Sequence, residues 1–315
     1  MDHQIIVVGS YATGLTMRVD RLPSPGETLL GKGYRVDFGG KGSNQAVACA
    51  RLGSRVSFIA KIGLDNFGDM ALGLHREEKV DVSSVIQVPD KPTGVGFIIV
   101  DAKGNNCITI DPAANDLLTA EEVSHCLKTL RSETIVLSQL EIPAEAAGAA
   151  MAQGREKGAL TILNPAPARI LPDSVLQFVD VLTPNQSEAK VLTGRSPNAA
   201  VEPETVAREL ICRGVKRVVM TLGEKGALVM TANSSWYIPA IKVSAEDTTG
   251  AGDAFNGGLA VALSRGANLD DAVRFAVVTG GLAVTREGVV PSLPTRAEVL
   301  QFYRQRGQVP PHWLS

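Results

Sequence analysis

The sequence has no surplus of charge: 31 Lys+Arg stand against 33 Asp+Glu, a formal net charge of −2. It therefore lacks the basic field that attracts nucleic acid. No apolar run approaches the roughly 18 residues that cross a bilayer. The longest, such as Ile5-Ile6-Val7-Val8 and Phe97-Ile98-Ile99-Val100, have the length of strands. The first residues, Met1-Asp2-His3-Gln4, are expected to lead straight into a strand, without the basic and apolar segments of a secretory signal. The expectation is a cytoplasmic protein with no nucleic-acid or membrane partner. Cys49, Cys107, Cys126 and Cys212 lie far apart, without C-x-x-C or a zinc-like spacing. They are expected to be reduced, buried thiols.

Several catalytic signatures are missing as well. Gly9-Ser10-Tyr11-Ala12 follows the first apolar run where a dinucleotide-binding chain would carry G-x-G-x-x-G. His3, His75, His125 and His312 are scattered, and neither H-E-x-x-H nor G-x-S-x-G occurs. Zinc hydrolysis and a serine triad therefore have no support.

What is present is a globular composition, 44% hydrophobic and 20% charged, enough to bury a substantial core. Strand-like runs at 5–8, 56–60, 134–137, 159–163, 179–182 and 218–221 alternate with helix-like segments at 44–52, 66–78, 120–130, 144–157, 203–213 and 251–264. That order implies an α/β fold with a doubly wound, mostly parallel sheet covered by helices on both faces. Residues 11–38 and 93–111 break the alternation and read as β-hairpins, with turn signals at Pro23-Ser24-Pro25-Gly26, Gly31-Lys32-Gly33 and Lys103-Gly104-Asn105-Asn106. Paired, they would form a small β-lid over a cleft in a main domain made of 1–10, 39–92 and 112–315; unpaired, they are two surface hairpins. Residues 304–315 read as a polar, mobile tail.

Four clusters carry candidate chemistry. Asp247-Thr248-Thr249-Gly250-Ala251-Gly252-Asp253 leads directly into a helix-like run. Glycines at a helix start let amides approach an anion, and a carboxylate in the first turn, Asp253, could take a proton from a hydroxyl; taken alone, the motif has a plainer account as an ordinary Asp near a helix N-terminus after a flexible turn. Gly39-Gly40-Lys41-Gly42-Ser43-Asn44 also runs into a helix, with donors suited to hydroxyls. It is not a Walker A loop, and a glycine-rich turn for close packing accounts for it equally well. Thr183-Pro184-Asn185-Gln186-Ser187-Glu188 and Thr221-Leu222-Gly223-Glu224-Lys225-Gly226 read as nucleotide-facing loops. Each has a plainer account, as a capping box from Asn185 to Glu188 and as a hairpin turn.

Taken together, in this order and over nearly the whole chain, the clusters resemble the ribokinase branch of the PfkB carbohydrate kinase family. Arg21-Leu22-Pro23 with Pro25-Gly26-Glu27-Thr28, and Pro184-Asn185-x-x-Glu188, extend the likeness. The resemblance implies ATP-dependent phosphorylation of a sugar-like hydroxyl, with Asp253 as base and Gly250, Ala251 and Gly252 as the anion hole. Gly40, Lys41, Gly42, Ser43, Asn44 and Glu141 match acceptor-binding positions. Asn185 and Thr221, Leu222, Gly223, Glu224, Lys225 and Gly226, with Gly252, match nucleotide positions, and Glu188 matches the residue that holds Mg²⁺ through water. Asp247, Thr249, Ala283, Arg286, Gly288 and Ser292 match the ligands of a monovalent cation, usually K⁺. A homodimer formed through the lid is also implied.

Three positions depart from the family pattern. Ala12 and Gly14 stand where ribokinases carry an Asn and an Asp that clamp ribose, so an acceptor other than ribose is expected. Val277 replaces an Asn near the adenine. A nucleoside or hexose kinase of the same family, or a relative that binds ligand without turnover, are the alternatives left open.

Overall fold

The computed structural model describes residues 4–314; Met1, Asp2, His3 and Ser315, on which the readings of the two termini bore, lie outside them. In chain order the elements begin with β1 (Gln4–Val8), β2 (Ala12–Arg18), β3 (Lys32–Gly39), α1 (Lys41–Arg51), β4 (Arg55–Gly63), α2 (Asn66–Glu77), β5 (Val80–Asp81), β6 (Val85–Val88), β7 (Val95–Val100) and β8 (Asn106–Asp111). They continue with α3 (Ala120–Cys126), β9 (Ile135–Ser138), α4 (Ala144–Glu156), β10 (Leu160–Leu163), α5 (Asp173–Leu176), β11 (Val181–Leu182), α6 (Gln186–Leu192), α7 (Pro203–Cys212) and β12 (Arg217–Thr221). The last are β13 (Ala227–Thr231), β14 (Ser235–Ile238), α8 (Ala251–Ser264), α9 (Leu269–Ala283) and α10 (Arg296–Gln305).

The main sheet has the order β14-β13-β12-β11-β10-β9-β1-β4-β5, with β6 also paired to β4. Every pairing from β12 through β5 is parallel. Parallel strands need covered faces, and β1 shows how one strand serves both. Ile5 and Val7 enter a core with Phe58, Leu137, Phe255 and Phe275. Ile6 and Val8 point the other way, into a core with Ile59, Val136, Leu140 and Met151. Each fully buried aliphatic side chain there contributes about 1.5–3 kcal/mol. Beyond Thr221 the sheet reverses: β12-β13 and β13-β14 are antiparallel and extend the edge.

The two interrupting stretches pair with each other. They form a separate sheet of order β3-β2-β7-β8, with hairpins β2-β3 and β7-β8 joined by a parallel β2-β7 pairing. Asn115 pins its root: its Oδ1 accepts from Tyr11 N at 3.0 Å and its Nδ2 donates to Tyr11 O at 2.8 Å.

Two expectations need correction. The C-terminal stretch is anchored rather than loose, because Leu314 is buried, its carbonyl accepts from Arg296 Nε at 2.7 Å, and Trp313 packs edge-on against Phe275. The thiols are free, as read, but only Cys49 is buried; Cys126 is half-buried and Cys107 and Cys212 are exposed. Cys107 sits on an edge strand of the small sheet and Cys212 closes a surface helix, positions that scattered spacing does not reveal.

Candidate active site

β1 has β4 on one side and β9 on the other, so the chain winds away from β1 in both directions. Such a switch point leaves a crevice beyond the carboxyl ends of the strands. The segments after β1 and β9 meet there: Ser10 Oγ donates to Glu141 Oε2 at 2.6 Å, and the same oxygen accepts from Lys41 N at 2.8 Å. The small sheet closes over this crevice. The resulting cleft of about 790 Å³ is lined by Gly40, Glu141, Asp247, Thr249 and Gly288 from the body and by one face of the small sheet.

The first glycine cluster serves close packing. A Cβ on Gly42 would stand 2.5 Å from Ser10 N, and one on Gly40, whose φ is +87°, would stand 2.6 Å from Tyr11 Cα. By lying flat on the β1–β2 corner, these glycines start α1 at Lys41 and aim Asn44 and Gln45 inward. Ser43 and Asn44 are buried, and among the described residues Ser43 Oγ and Asn44 Oδ1 have no hydrogen-bond partner. A buried polar atom without a partner is costly unless a ligand or water completes it.

Asp253 lies in the first turn of α8 and is 6% exposed. Asn44 Nδ2 donates to its Oδ2 at 2.8 Å, and Gln45 Nε2 donates to its Oδ1 at 2.9 Å. Burial pushes the carboxyl above its ordinary range, while the Lys41 charge and the two amide bonds pull it back. Lys41 answers in kind: burial works against its charge, but Asp253, Glu141 and Glu188 raise it above the usual lysine value.

Gly250 is the N-cap of α8 in the left-handed region, with φ +80°. A Cβ on it would meet Val289 Cγ1 at 2.9 Å, whereas above Gly252 there is nothing within 4 Å. Gly252 is exposed, so the helix start is open there, while Ala251 N donates to Thr248 O at 3.3 Å.

The nucleotide-type loops meet each other. Asn185 bridges Thr221, and Thr221 N donates to Pro184 O at 3.0 Å. Asn185 and Glu188 form a reciprocal capping box on α6, and Leu222 to Gly226 make the turn into β13. The plainer accounts of these loops thus hold locally. Glu188 also feels Lys41 and Asp253: burial raises its carboxyl and the Lys41 charge opposes that. Gly223 has open space where a Cβ would sit, but Gly226 is pressed against Ile238 O. Val277 is buried in α9.

The cation-type residues fall in two segments, 247–249 and 283–292, that are tied together. Asp247 Oδ1 accepts from Thr249 N at 2.9 Å and Thr249 Oγ1 at 2.6 Å, and Oδ2 accepts from Gly288 N at 3.1 Å. Burial opposes its charge, yet these bonds and the nearby Arg35 hold the carboxyl below the usual range. Glu246 N donates to Val284 O, next to Ala283. The Arg286 side chain is committed to Glu298 and to Ser292 O.

Four residues of the site escaped the sequence reading as functional candidates. Gln45 Oε1 accepts from Gln139 Nε2 at 2.6 Å, and Gln45 Nε2 also donates to Asn164 Oδ1 at 3.1 Å. Asn164 donates to Thr183 O, Thr183 Oγ1 donates to Asn256 Oδ1, and Asn256 donates to Gly252 O. A hydrogen-bonded chain thus joins Asp253 to the backbone of its own glycine loop through Gln45 and the ends of β10 and β11, with Gln139 at the end of β9 as a branch. The available signal was amide side chains beside small apolar runs, which require partners when buried.

A family model described as pfkB family carbohydrate kinase matches residues 2–296. The chain is 37% identical over 305 residues to a ribokinase of Haemophilus influenzae, covering 96% of this chain and 99% of that one. It is 35% identical over 292 residues to a deoxyribokinase of Salmonella typhi, covering 92% and 95%. The structure of Arabidopsis thaliana ribokinase complexed with ribose and ATP superposes with a TM-score of 0.86 at 30% identity, covering 96% of this chain and 98% of that one. With the fold, the glycine-headed helices and these matches in agreement, the chain belongs to the pfkB family of carbohydrate kinases.

Proposed function

We propose that this protein transfers the γ-phosphoryl group of ATP to a hydroxyl of a small sugar or sugar-like acceptor, with Asp253 as the general base. The observation that carries this reading is the Asp253 carboxylate, buried in the first turn of α8 with an amide donor on each oxygen. Each oxygen keeps a free lone pair, so the group can still accept a proton from an alcohol. The acceptor lies in the cleft over Gly40 and Glu141, where Lys41, Asn44 and Ser43 supply polar atoms. The amides of Gly250, Ala251 and Gly252 meet the negative charge of the transferring group, aided by the helix start.

The residues present fit a nucleotide and its metal. The open face of Gly252 and the uncovered Gly223 leave room for phosphates against backbone. Asn185, Thr221 to Gly226 and Gly252 would hold ATP, and Glu188, half-buried and under the influence of the Lys41 charge, would orient Mg²⁺ through water. Mg²⁺ supplies charge neutralisation of the β- and γ-phosphates. Asp247, Thr249, Ala283, Arg286, Gly288 and Ser292 would hold a monovalent cation, mainly through backbone oxygens, stiffening the loop below Gly250.

The small sheet acts as a lid of residues 11–38 and 93–111 on a body made of the rest. Its outer face exposes Tyr34 and Phe97, which favours a second copy of the chain as its cover; sedimentation as a monomer would refute that.

The test of the activity is Asp253→Asn. Turnover should fall by about 10²–10⁴-fold while ATP binding and folding persist; full activity in this variant would overturn the assignment.

A further inference from the structure

The cleft-facing side of the lid contains a single row of residues that crosses all four strands. Asp37 of β3 is in register with Gly14 of β2, Gly14 with Gly96 of β7, and Gly96 with Ile110 of β8. All four line the cleft. Adjacent strands lie about 4.8 Å apart, so Asp37 and Ile110 stand about 14 Å apart, and the two positions between them in the row carry no side chain. The row is a trough with a carboxylate at one end, two glycines as its floor and an aliphatic side chain at the other. Ile98 flanks both glycines: its Cδ1 lies 3.5 Å from where a Gly14 Cβ would be and 3.8 Å from that of Gly96.

Neither glycine is demanded by the backbone. Neither has a positive φ, and the nearest atom to an added Cβ is at 3.5 Å for Gly14 and 3.7 Å for Gly96, ordinary contact distances. Glycine inside a strand weakens it, and marks a place where something else approaches the backbone closely. Here the neighbours are Asp37, Ile98 and Ile110, and beyond them the cleft that all of these residues line.

Asp37 is, among the described residues, the only carboxylate that the lid strands turn into the cleft. Its Oδ2 accepts from Arg35 Nε at 2.6 Å and, more weakly, from Thr16 Oγ1 at 3.4 Å. Its Oδ1 is uncommitted among the described residues. Arg35 in turn reaches Glu287 at 3.4 Å, so the carboxylate is held in place from behind with one oxygen left for a ligand.

We propose that Asp37 is the specificity-determining carboxylate for the acceptor. It receives hydroxyl hydrogen bonds from one edge of a polyol lying over Gly14 and Gly96, and the opposite, less polar edge packs against Ile98 and Ile110. This inference rests on the kinase reading for the identity of the cleft, but concerns binding rather than phosphoryl transfer. The class of acceptor that fits is a sugar-like molecule with its hydroxyls gathered on one edge and C–H or carbon substituents on the other.

Calorimetric binding of D-ribose and 2-deoxy-D-ribose to the intact protein, beside ATP-dependent turnover of the same sugars, tests this. Asp37→Ala should weaken binding of the better sugar by about tenfold or more, the effect of one charge-assisted hydrogen bond, with nucleotide affinity unchanged. Asp37→Asn should fall between. Gly14→Val should leave Tm equal or higher, because a β-branched residue suits a strand, while acceptor affinity drops by a similar factor; a merely structural glycine would show the reverse. Unchanged sugar affinity in both Asp37→Ala and Gly14→Val, or no binding of either sugar to the native protein, overturns the proposal. Binding that depends on Asp37 without any turnover would instead sink the kinase reading and leave the trough intact.

Discussion

Gly257 of α8 and Ala48 of α1 meet so closely that a Cβ on the glycine would stand 2.5 Å from that of the alanine. One helical turn earlier on the same two helices lie Asp253 and Asn44, whose side chains are hydrogen-bonded at 2.8 Å. The small-residue crossing sets the distance at which a carboxylate on one helix can be held by an amide on the other.

Gly257→Ala is therefore expected to do two things at once. Forcing a methyl group into this crossing costs about 1–3 kcal/mol of overpacking, read as a lower Tm or denaturant midpoint. It should also lower kcat, since the helices must separate where Asn44 and Gln45 grip Asp253. A variant with reduced stability and native kcat would dissociate the crossing from the site.

The pH profile should report the buried base. Burial raises the Asp253 carboxyl, so the ionised form needed to accept a proton accumulates at higher pH than for a free aspartate, about 3.9. The acid limb of kcat/KM is expected above that value. Lys41 lowers the Asp253 pKa by its charge, so Lys41→Met should move the limb to higher pH as well as reducing the rate. A limb that stays in place after Lys41→Met would mean that another group governs it.

His75 makes the fold acid-sensitive in a defined window. It is buried beside Phe58, with ring centroids 4.7 Å apart, and its Nε2 has no hydrogen-bond partner among the described residues. Burial lowers its pKa to about 4 from the ordinary histidine value of 6.5. Between these values the unfolded chain binds the proton and the native protein does not, so stability falls as pH drops from 6.5 and levels off near 4. The full change corresponds to about 3 kcal/mol. His75→Leu should flatten this part of the stability curve in urea titrations taken across the window; an unchanged slope would exonerate His75.

Potassium should raise activity relative to choline at equal ionic strength. The two loops joined by Asp247 and Gly288 bear on Gly250 through Val289, so ordering them orders the amides above. Asp247→Ala should lose this response, and it should also lose any potassium-dependent rise in Tm. Equal rates in both salts would remove the cation from the account.

The architecture was legible because its signals are local. Alternating apolar runs and helical segments gave the order of the main sheet's elements, and the run 251–264 coincides with α8 as observed. The two hairpins announced themselves through turn residues at 23–26 and 103–106, whereas Lys32 and Gly33, also read as turn, begin β3, because their pairing is set by β2, on the far side of the turn. Less was visible in the short edge strands β5 and β6, too brief to show a period. The partners of Asp253 were also only half visible: Asn44 stood inside a recognised motif, but Gln45 bonds to Gln139, 94 residues away, and to Asp253, 208 residues away. Such amides come together only after strand ends and a helix start have been stacked in space.

By itself the sequence determined a doubly wound α/β chain, a helix headed by Gly250-Ala251-Gly252 with Asp253 in its first turn, and a glycine cluster with Lys41 running into a helix at Asn44. Periods of two and 3.6 residues, and the backbone freedom of glycine, are properties of neighbouring residues and can be read along the chain. The tertiary structure decided that those two helices cross at Ala48 and Gly257, and that Asp37 faces Ile110 across Gly14 and Gly96. Strand register and helix crossing are set by packing between segments far apart in the chain, which no local pattern encodes.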